Sequence, residues 1–319
     1  MKKLMVVGLI GISLLAGCSK ADEGKKVTEI GISQIVEYSA LDENREGFVK
    51  ALEENGYKDG ENVKIDYQNA QGDIATAQTI AKQFASQKKD LIFAIATPSA
   101  QAAYNATKKT PIMISAVTDP VAAGLVESLE APNTNVSGTS DYIPIDKQLD
   151  LIKKLVPKAK KIGVLYNTSE VNSEVQINQL KEAAKDYEII TVGVTSTNEV
   201  NQAMSSLVEK IDVLYAPTDQ LVVSAMPIIA KKTLEKKIPI IASEKGSVEL
   251  GALATQGINY YKLGHKTGEM AVRVLKGEDI SKMPITISDE TDIIVNEDSL
   301  KALGIEKLDI ENVVYVKTK

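Results

Sequence analysis

The chain has 319 residues, of which 44% are apolar and 25% are charged, and its formal net charge is −6. This composition is typical of a folded protein with room for two domains, and it excludes an intrinsically disordered chain. The negative net charge, without a dense cluster of Lys and Arg, argues against a nucleic-acid-binding surface.

The N-terminus has the pattern of a secretory signal peptide. Two lysines precede an apolar run from Leu4 to Ala16, which is shorter than the ~20 residues of a membrane-spanning helix. The run ends in the sequence LAGC, a lipobox whose thiol, on Cys18, receives a lipid; a plain secretory peptide is the alternative. Cys18 is the only cysteine. We expect a signal peptide at 1–17 and a lipidated tether at 18–26, which would hold the protein on the outer face of the cell membrane.

From residue 27 onwards, short runs rich in β-branched residues alternate with longer amphipathic stretches. The predicted strands are Glu29–Ile35, Val63–Asn69, Leu91–Ile95, Ile112–Ala116 and Val136–Ser140, and the predicted helices are Asp42–Asn55, Ile74–Lys88, Ser99–Ala106 and Pro120–Leu125. Because strands and helices alternate, we expect a parallel sheet with helices on both faces.

The same pattern then starts again. The predicted strands are Lys161–Tyr166, Glu188–Val194, Val213–Ala216, Pro239–Ala242 and Gly251–Gly257, and the predicted helices are Lys147–Leu155, Ser173–Lys185, Val200–Val208 and Val222–Lys236. After these come one clear helix, Lys262–Leu275, and strand-like stretches at Thr286–Ile287 and Ile293–Val295. This last segment is too short for a third domain, so it must complete the first two.

Polar side chains follow most of the predicted strands, where open parallel sheets bind their ligands. Each Ser, Thr, Asn or Asp there is also a good helix N-cap, and the two roles are compatible. Thr97-Pro98-Ser99 is the best candidate for a carboxylate site, because helix N-termini favour anions. Asp119 and Asp219 are candidates for holding an ammonium group. Together these residues predict a site for an amino acid.

Seven stretches extend the pattern along the chain: ISQIVEYSALDENREGF (Ile32–Phe48), IATPSAQAA (Ile95–Ala103), AVTDPVAAGLV (Ala116–Val126), GTSDYIPI (Gly138–Ile145), LYNTSEVNSEVQ (Leu165–Gln176), APTDQLV (Ala216–Val222) and GALATQGINYYKLG (Gly251–Gly264). In this order, and with the lipobox, they resemble the substrate-binding lipoproteins of ABC importers. The resemblance is greatest to the branch that binds tryptophan or tyrosine.

This resemblance implies an α/β, type I periplasmic-binding-protein fold, with two doubly wound parallel-sheet lobes joined by a three-strand hinge. The N-terminal lobe would comprise 27–141 plus 260–283, and the C-terminal lobe 142–259 plus 284–319. The lobes would close around an aromatic amino acid, tyrosine first and tryptophan second. An ABC permease with its ATPase would be the partner, and the protein would be a monomer without a cofactor or metal.

The resemblance also implies ligand contacts on both lobes. On the first lobe these are Gln34, Tyr38, Thr97, Ser99, Asp119 and Asp141, and on the second they are Asn167, Glu170, Ser173, Asp219, Glu244 and Tyr260. The family often has a histidine where this chain has Tyr38.

An enzyme is not expected, because no residue pattern provides a nucleophile with a base, a metal cluster or a phosphate loop. The single histidine, His265, lies within a helical pattern away from the strand-end loops. The alternative that the sequence leaves open is a surface-exposed adhesin or signalling lipoprotein on the same fold.

The lipobox generates a first prediction. A Cys18→Ala variant should lose its membrane attachment, because the thiol that receives the lipid is absent. Fractionation of the producing cells should find the wild type in the membrane fraction and the variant in the soluble or secreted fraction. Membrane retention of the variant equal to the wild type would contradict lipidation at this residue.

Overall fold

The computed structural model describes residues 27–288, 290–307 and 312–319. The predicted signal peptide, Cys18 and the tether lie outside these residues. In the described ranges, no helix combines the length and the apolar character needed to cross a bilayer. The chain forms two α/β lobes, one built on a six-stranded sheet and the other on a seven-stranded sheet.

The elements follow one another along the chain in alternation. The strands are β1 (Thr28–Gln34), β2 (Val63–Asn69), β3 (Leu91–Ile95), β4 (Ile112–Ser115), β5 (Val136–Ser140), β6 (Lys161–Asn167), β7 (Glu188–Val194), β8 (Val213–Ala216), β9 (Ile240–Ala242), β10 (Ala254–Gly257), β11 (Thr286–Ile287), β12 (Asp292–Asn296) and β13 (Val313–Val316). The helices are α1 (Ser39–Glu54), α2 (Ile74–Gln87), α3 (Thr97–Ala106), α4 (Ile145–Leu155), α5 (Val171–Ala183), α6 (Thr197–Leu207), α7 (Gln220–Ser224), α8 (Met226–Glu235), α9 (Lys245–Glu249), α10 (Tyr260–Leu275) and α11 (Glu297–Leu303), with a short 3-10 helix at Ile280–Lys282.

The strand orders are those of doubly wound sheets. The first sheet runs β11-β5-β4-β3-β1-β2 and is parallel throughout. The second runs β13-β12-β10-β9-β8-β6-β7, and it is parallel except where β12 pairs antiparallel with β10. Such sheets place the carboxyl ends of their strands along one edge, and the loops at that edge carry the polar residues singled out above. The predicted α/β class with two parallel-sheet lobes is confirmed.

Two local predictions are wrong, and three short elements were not predicted. The stretch Pro120–Leu125 is a turn and not a helix, and Gly124 there has a φ of +70°, which a helix does not contain. The stretch Val222–Lys236 is divided into α7 and α8 at Ala225, and α8 begins at Met226 with Pro227 in its first turn. The sequence analysis also missed α9, α11 and β13, which are too short for a clear periodicity.

The crossings between the lobes differ from the expected boundaries. The strand β11 pairs with β5 in the first sheet, so the last crossing follows Ile287 and not Pro284. Met283 and Ile285 are buried in the core of the first lobe. Tyr260 begins α10, which packs along α1 of the first lobe. The expected contacts grouped Tyr260 with the second lobe, whereas the expected boundary put residue 260 in the first.

Glycines bring α1 and α10 into backbone contact. A Cβ atom at Gly264 would lie 1.8 Å from the Asn44 carbonyl oxygen, and one at Gly47 would lie 2.1 Å from the Tyr261 carbonyl oxygen. The Asn44 side chain in turn donates a hydrogen bond to the Tyr260 carbonyl at 3.3 Å. This close crossing therefore determines where the first residue of α10 sits relative to the cleft.

The crossing generates a prediction about stability. Gly264→Ala should lower the free energy of unfolding by about 1–3 kcal/mol or more, because two backbones must separate to admit the methyl group. Urea unfolding followed by circular dichroism measures the change. Lys266→Ala, on the exposed side of the same helix, is the control and should stay within about 0.5 kcal/mol of the wild type. Equal stability of Gly264→Ala and the wild type would contradict the backbone contact.

Candidate ligand-binding cleft

The carboxyl ends of the two sheets face each other and touch. The hydroxyl oxygens of Thr118, which follows β4, and Thr218, which follows β8, lie 3.2 Å apart. The ring of Tyr38 lies over Gly246, since a Cβ atom at this glycine would be 3.0 Å from the ring carbon Cδ2. The structure therefore describes the lobes in a closed arrangement, with the polar strand-end loops buried between them.

Four buried carboxylates occupy these loops: Asp141 after β5, Glu170 after β6, Asp219 after β8 and Glu244 after β9. Burial is the main cause that raises the pKa of each of them, and no positive charge among the described residues is a named cause that lowers it. Lys89 is the one buried basic side chain in the described ranges, and it pairs with Glu29 and Asp66 at the opposite end of the first sheet. Because buried charges need compensation, this cleft favours a cationic group.

Asp141 is the carboxylate with a free acceptor. Its Oδ2 atom accepts a hydrogen bond from the Tyr260 hydroxyl at 3.0 Å, whereas its Oδ1 atom is buried and has no hydrogen bond of normal geometry in the described part of the protein. The nearby Thr118 hydroxyl acts to lower the pKa of Asp141 but does not outweigh burial. An unpaired buried oxygen of this kind is costly unless a ligand or a water completes it.

The carboxylates of Asp219 and Glu244 are instead occupied by the protein. Asp219 accepts from the Asn167 N–H at 2.6 Å, from the Ser173 hydroxyl at 2.6 Å and from the Val222 N–H at 3.0 Å. Glu244 accepts from the backbone N–H groups of Gly246 and Ser247. Both are thus N-caps, of α7 and α9 respectively, and Asn167 and Ser173 position Asp219.

Glu170 is enclosed by amide donors. Its two oxygens accept from the side-chain amides of Asn167 and Asn172 at 3.2 and 3.3 Å, and both accept from the Gln220 N–H at 3.2 Å. Burial, together with the negative charge of Asp219, raises the pKa of Glu170 from 4.5 to about 8. Glu170 and Asp219 therefore form a closely placed acid pair.

Two tyrosine hydroxyls complete the acidic cluster. Burial raises the pKa of Tyr38 well above its ordinary value, and the negative charges of Glu244 and Asp141 raise it further. Burial has the same effect on the pKa of Tyr260, with Asp141 as the next cause. The Gln220 Oε1 atom, on the second lobe, is a further buried acceptor without a partner in the described residues. Both hydroxyls are therefore neutral, and the Tyr260 hydroxyl donates to Asp141.

The start of α3 has the opposite character. No side chain caps this helix, and Ala96 before it has a φ of +74°, in the left-handed region that an alanine rarely adopts. Thr97 and Ser99 are buried in the first turn, and the Ser99 hydroxyl has no hydrogen-bond partner within the described ranges. Uncapped N–H groups beside a free hydroxyl form an anion-binding surface.

Two predicted residues lie apart from this cluster. Gln34 uses its side chain inside the first lobe, where it donates to the Val36 carbonyl and to Asp42, both at 2.9 Å. Asp119 accepts from backbone N–H groups of the turn that follows it. It lines a separate groove of about 380 Å³ that also includes Tyr142.

A set of polar residues between the lobes has no clear signal in the sequence. Thr118 and Thr218 directly precede Asp119 and Asp219. Gln176 lies inside α5, where no sequence pattern marks it as a site residue. Its side chain donates to the Thr218 hydroxyl at 2.6 Å and accepts from the Ser243 hydroxyl at 3.2 Å. These residues enclose a cavity of about 20 Å³ between the lobes, which is room for about one water.

The cluster contains carboxylates but no metal-binding arrangement. No group of three or more His, Cys, Asp or Glu side chains is placed to hold a metal ion in residues 27–288, 290–307 and 312–319.

The raised pKa of Glu170 generates a prediction about pH. The folded protein keeps a proton that the unfolded chain releases between pH 4.5 and about 8. The free energy of unfolding should therefore fall as the pH rises through this window, by an amount on the order of a few kcal/mol. Glu170→Gln removes this titration, so its stability should fall less steeply. Urea unfolding at both ends of the window compares the slopes, and equal slopes would contradict the assignment.

Comparison with known proteins identifies the fold and the family. The sequence matches the family of ABC transporter substrate-binding proteins over residues 29–317. A tyrosine-binding protein from Clostridioides difficile (strain R20291) is 58% identical over 328 aligned residues, which cover 99% of this chain and 95% of that protein. A glucose–galactose-binding protein from Geobacillus stearothermophilus is only 16% identical, yet it covers 85% of this chain and 98% of its own with a TM-score of 0.61. The predicted type I periplasmic-binding-protein fold is thus confirmed.

Two further solved structures, one open and ligand-free and the other with L-Trp bound, match this structure to different degrees. The ligand-free, open structure of a substrate-binding protein with adhesive properties from Clostridium difficile is 66% identical, covers 92% of this chain and 100% of that chain, and has a TM-score of 0.72. An ABC domain in complex with L-Trp from Streptococcus pneumoniae is 36% identical. The match covers 90% of this chain and 99% of that chain, with a TM-score of 0.86. The present structure is therefore closer in overall shape to the L-Trp complex. The chain belongs to the ABC transporter substrate-binding proteins.

Proposed function

We propose that this protein captures a free aromatic amino acid, tyrosine in preference to tryptophan, between its two lobes and delivers it to an ABC permease with its ATPase. The observation that carries the proposal is the buried acidic cluster with a free acceptor on Asp141. A cluster of this charge is completed by a ligand that brings an ammonium group.

The ammonium group is assigned to the side of the cluster near Asp141. The unpartnered Oδ1 atom of Asp141 supports this assignment, because a charge-assisted hydrogen bond would complete it. Asp219, the sequence candidate for this role, has both oxygens occupied by Asn167, Ser173 and the start of α7. We therefore assign Asp219 to holding the second-lobe loops together.

The ligand carboxylate is assigned to the start of α3. An uncapped helix N-terminus and the free Ser99 hydroxyl offer both hydrogen bonds and a favourable dipole. Acceptors on one side and donors on the other match the two ends of a zwitterion. The lobes must part for a ligand to enter, because the interlobe cavity that Thr118 and Thr218 line is far smaller than an amino acid.

The aromatic part of the ligand is assigned to the region of Tyr38 and Tyr260. Aromatic rings contribute large contact areas to such ligands. Tyr38 stands where the family often has a histidine, and its hydroxyl is placed among acceptors from both lobes. The tyrosine-binding relative and the L-Trp complex support an aromatic ligand by similarity.

Membrane attachment and stoichiometry complete the proposal. Substrate-binding proteins of this family act outside the cytoplasm, and a lipid on Cys18 would keep the protein beside its permease. We propose a monomer without a cofactor, since both sides of the cleft come from one chain.

Isothermal titration of the mature domain, after unfolding and refolding to remove carried-over ligand, tests the function. Tyrosine should bind with micromolar or tighter affinity and more tightly than tryptophan and phenylalanine. Folded protein that gives no heat with any of the three would overturn the proposed ligand class.

The same titration tests the ammonium partner. Asp141→Asn should weaken tyrosine binding by tenfold or more, because the charge that faces the ammonium group is lost. Asp150→Asn, on the exposed side of α4, is the matched control and should bind as the wild type does. If Asp141→Asn retains wild-type affinity, Asp141 does not hold the ligand.

A further inference from the structure

A second set of polar contacts joins the lobes at the mouth of the cleft. Ser39 and Glu43 lie four residues apart on α1 of the first lobe, and Lys245 and Glu249 lie four residues apart on α9 of the second. Residues at this spacing share one face of a helix. We refer to these four residues as the interlobe latch.

The first latch residue of each helix pairs with the second latch residue of the other helix. The Ser39 hydroxyl donates to Glu249 at 2.7 Å, and the Lys245 ammonium donates to Glu43 at 2.7 Å. Lys245 also lies 3.5 Å from Glu249, so one cation serves a carboxylate from each lobe. These contacts span the two lobes and can exist only when the lobes are closed.

Glu249 is held ready for this contact by its own lobe. The Lys319 ammonium donates to it at 2.7 Å, and the Lys319 N–H donates to its backbone carbonyl at 2.9 Å. Although burial raises its pKa, hydrogen bonds from Lys319 and Ser39 hold the pKa of Glu249 below the ordinary value. The Glu249 carboxylate is therefore ionised, and its own lobe holds it in position for the contact with Ser39.

The latch adjoins the ligand site but lies outside it. Ser39 directly follows Tyr38, and Lys245 directly follows Glu244, so each side of the latch is one residue away from the acidic cluster. Ser39 and Glu249 line a groove of about 610 Å³ at the lobe boundary, which Tyr38 and Gly246 also line. Lys245 and Glu43 keep 29% and 31% of their side-chain surface exposed. None of the four latch side chains contributes to the buried acidic cluster of Asp141, Glu170, Asp219 and Glu244.

Gly246 allows the latch to close. A Cβ atom there would lie 2.8 Å from the Glu244 carboxylate and 3.0 Å from the Tyr38 ring. Because the ring crosses the lobe boundary at this point, a side chain at this position would hold α1 and α9 apart. The lack of a side chain at Gly246 and the paired charges of the latch therefore both favour the closed arrangement of the lobes.

We propose that the interlobe latch stabilises the closed state and sets the rate at which the bound ligand is released, without contact to the ligand. The proposal depends on the proposed function in that closure must enclose a ligand. Single exposed ion pairs contribute little, but a network that shares a carboxylate and a lysine contributes more. Since the pairs are partly exposed, salt should weaken them.

Release of radiolabelled tyrosine from the full mature domain measures the effect. Glu43→Gln and Lys245→Met should each speed release by about threefold to tenfold, with little change in the association rate, because only the closed state loses a contact. Raising the salt from about 0.05 M to about 0.5 M should speed release from the wild type severalfold. The same change should have little effect on Lys245→Met.

Two further variants separate the latch from a general loss of charge. Lys236→Met breaks a 2.8 Å ion pair with Glu209 inside the second lobe, and it should leave the release rate unchanged. Gly246→Ala keeps every latch charge but obstructs closure, so it should also speed release. Release rates and salt dependences of Glu43→Gln and Lys245→Met equal to those of the wild type would overturn the latch.

Small-angle scattering keeps the test independent of the ligand. The wild type's failure to bind tyrosine would overturn the proposed function, and the latch would then be judged on the ligand-free protein. Lys245→Met and Gly246→Ala should have a larger radius of gyration than the wild type at low salt. Identical radii for all three would overturn the latch.

Discussion

The burial of four carboxylates between two lobes, without a buried basic side chain beside them in the described ranges, is the constraint on which the rest of the cleft depends. Each of these groups loses its hydration when the lobes close, and this loss opposes closure unless protons or a cation compensate it. Two of the carboxylates are compensated by helix N-termini, and Glu170 by amide donors and a raised pKa. Asp141 keeps a free oxygen. Closure is therefore linked to what that oxygen binds.

Helix ends perform two tasks in this protein, and the structure separates them. The polar residues after the strands could be read from the sequence either as caps or as ligand contacts. Asp219 and Glu244 are caps, and their carboxylates are filled by backbone N–H groups. At α3 the cap is missing, and a strained Ala96 precedes a buried first turn whose N–H groups no side chain caps. A filled cap organises a loop, whereas an unfilled helix start is available to a ligand. This distinction depends on three-dimensional contacts.

Much of the fold could be predicted because strands and helices alternate with clear periodicities, and most predicted strands agree with the structure to within a few residues. The failures have physical causes. The strand β11 has only two residues, so no period identifies it with a sheet, and the crossing was placed too early. Tyr260 was grouped with the second-lobe contacts although the expected boundary put residue 260 in the first lobe. The packing of α10 on α1 that fixes its position depends on glycine contacts that lie far apart in sequence. The contact between Thr118 and Thr218 joins loops 100 residues apart, and sequence patterns are local.

The return of the chain to the first lobe has a consequence for how the protein folds during synthesis. The core of that lobe includes Met270, Met283 and Ile285, and its sheet ends with β11. A ribosome must therefore produce the whole second lobe up to residue 259, and then α10, before the first lobe can close its core. Contacts of such long sequence separation form slowly. The first lobe therefore cannot complete its core and its sheet until residue 287 has emerged from the ribosome.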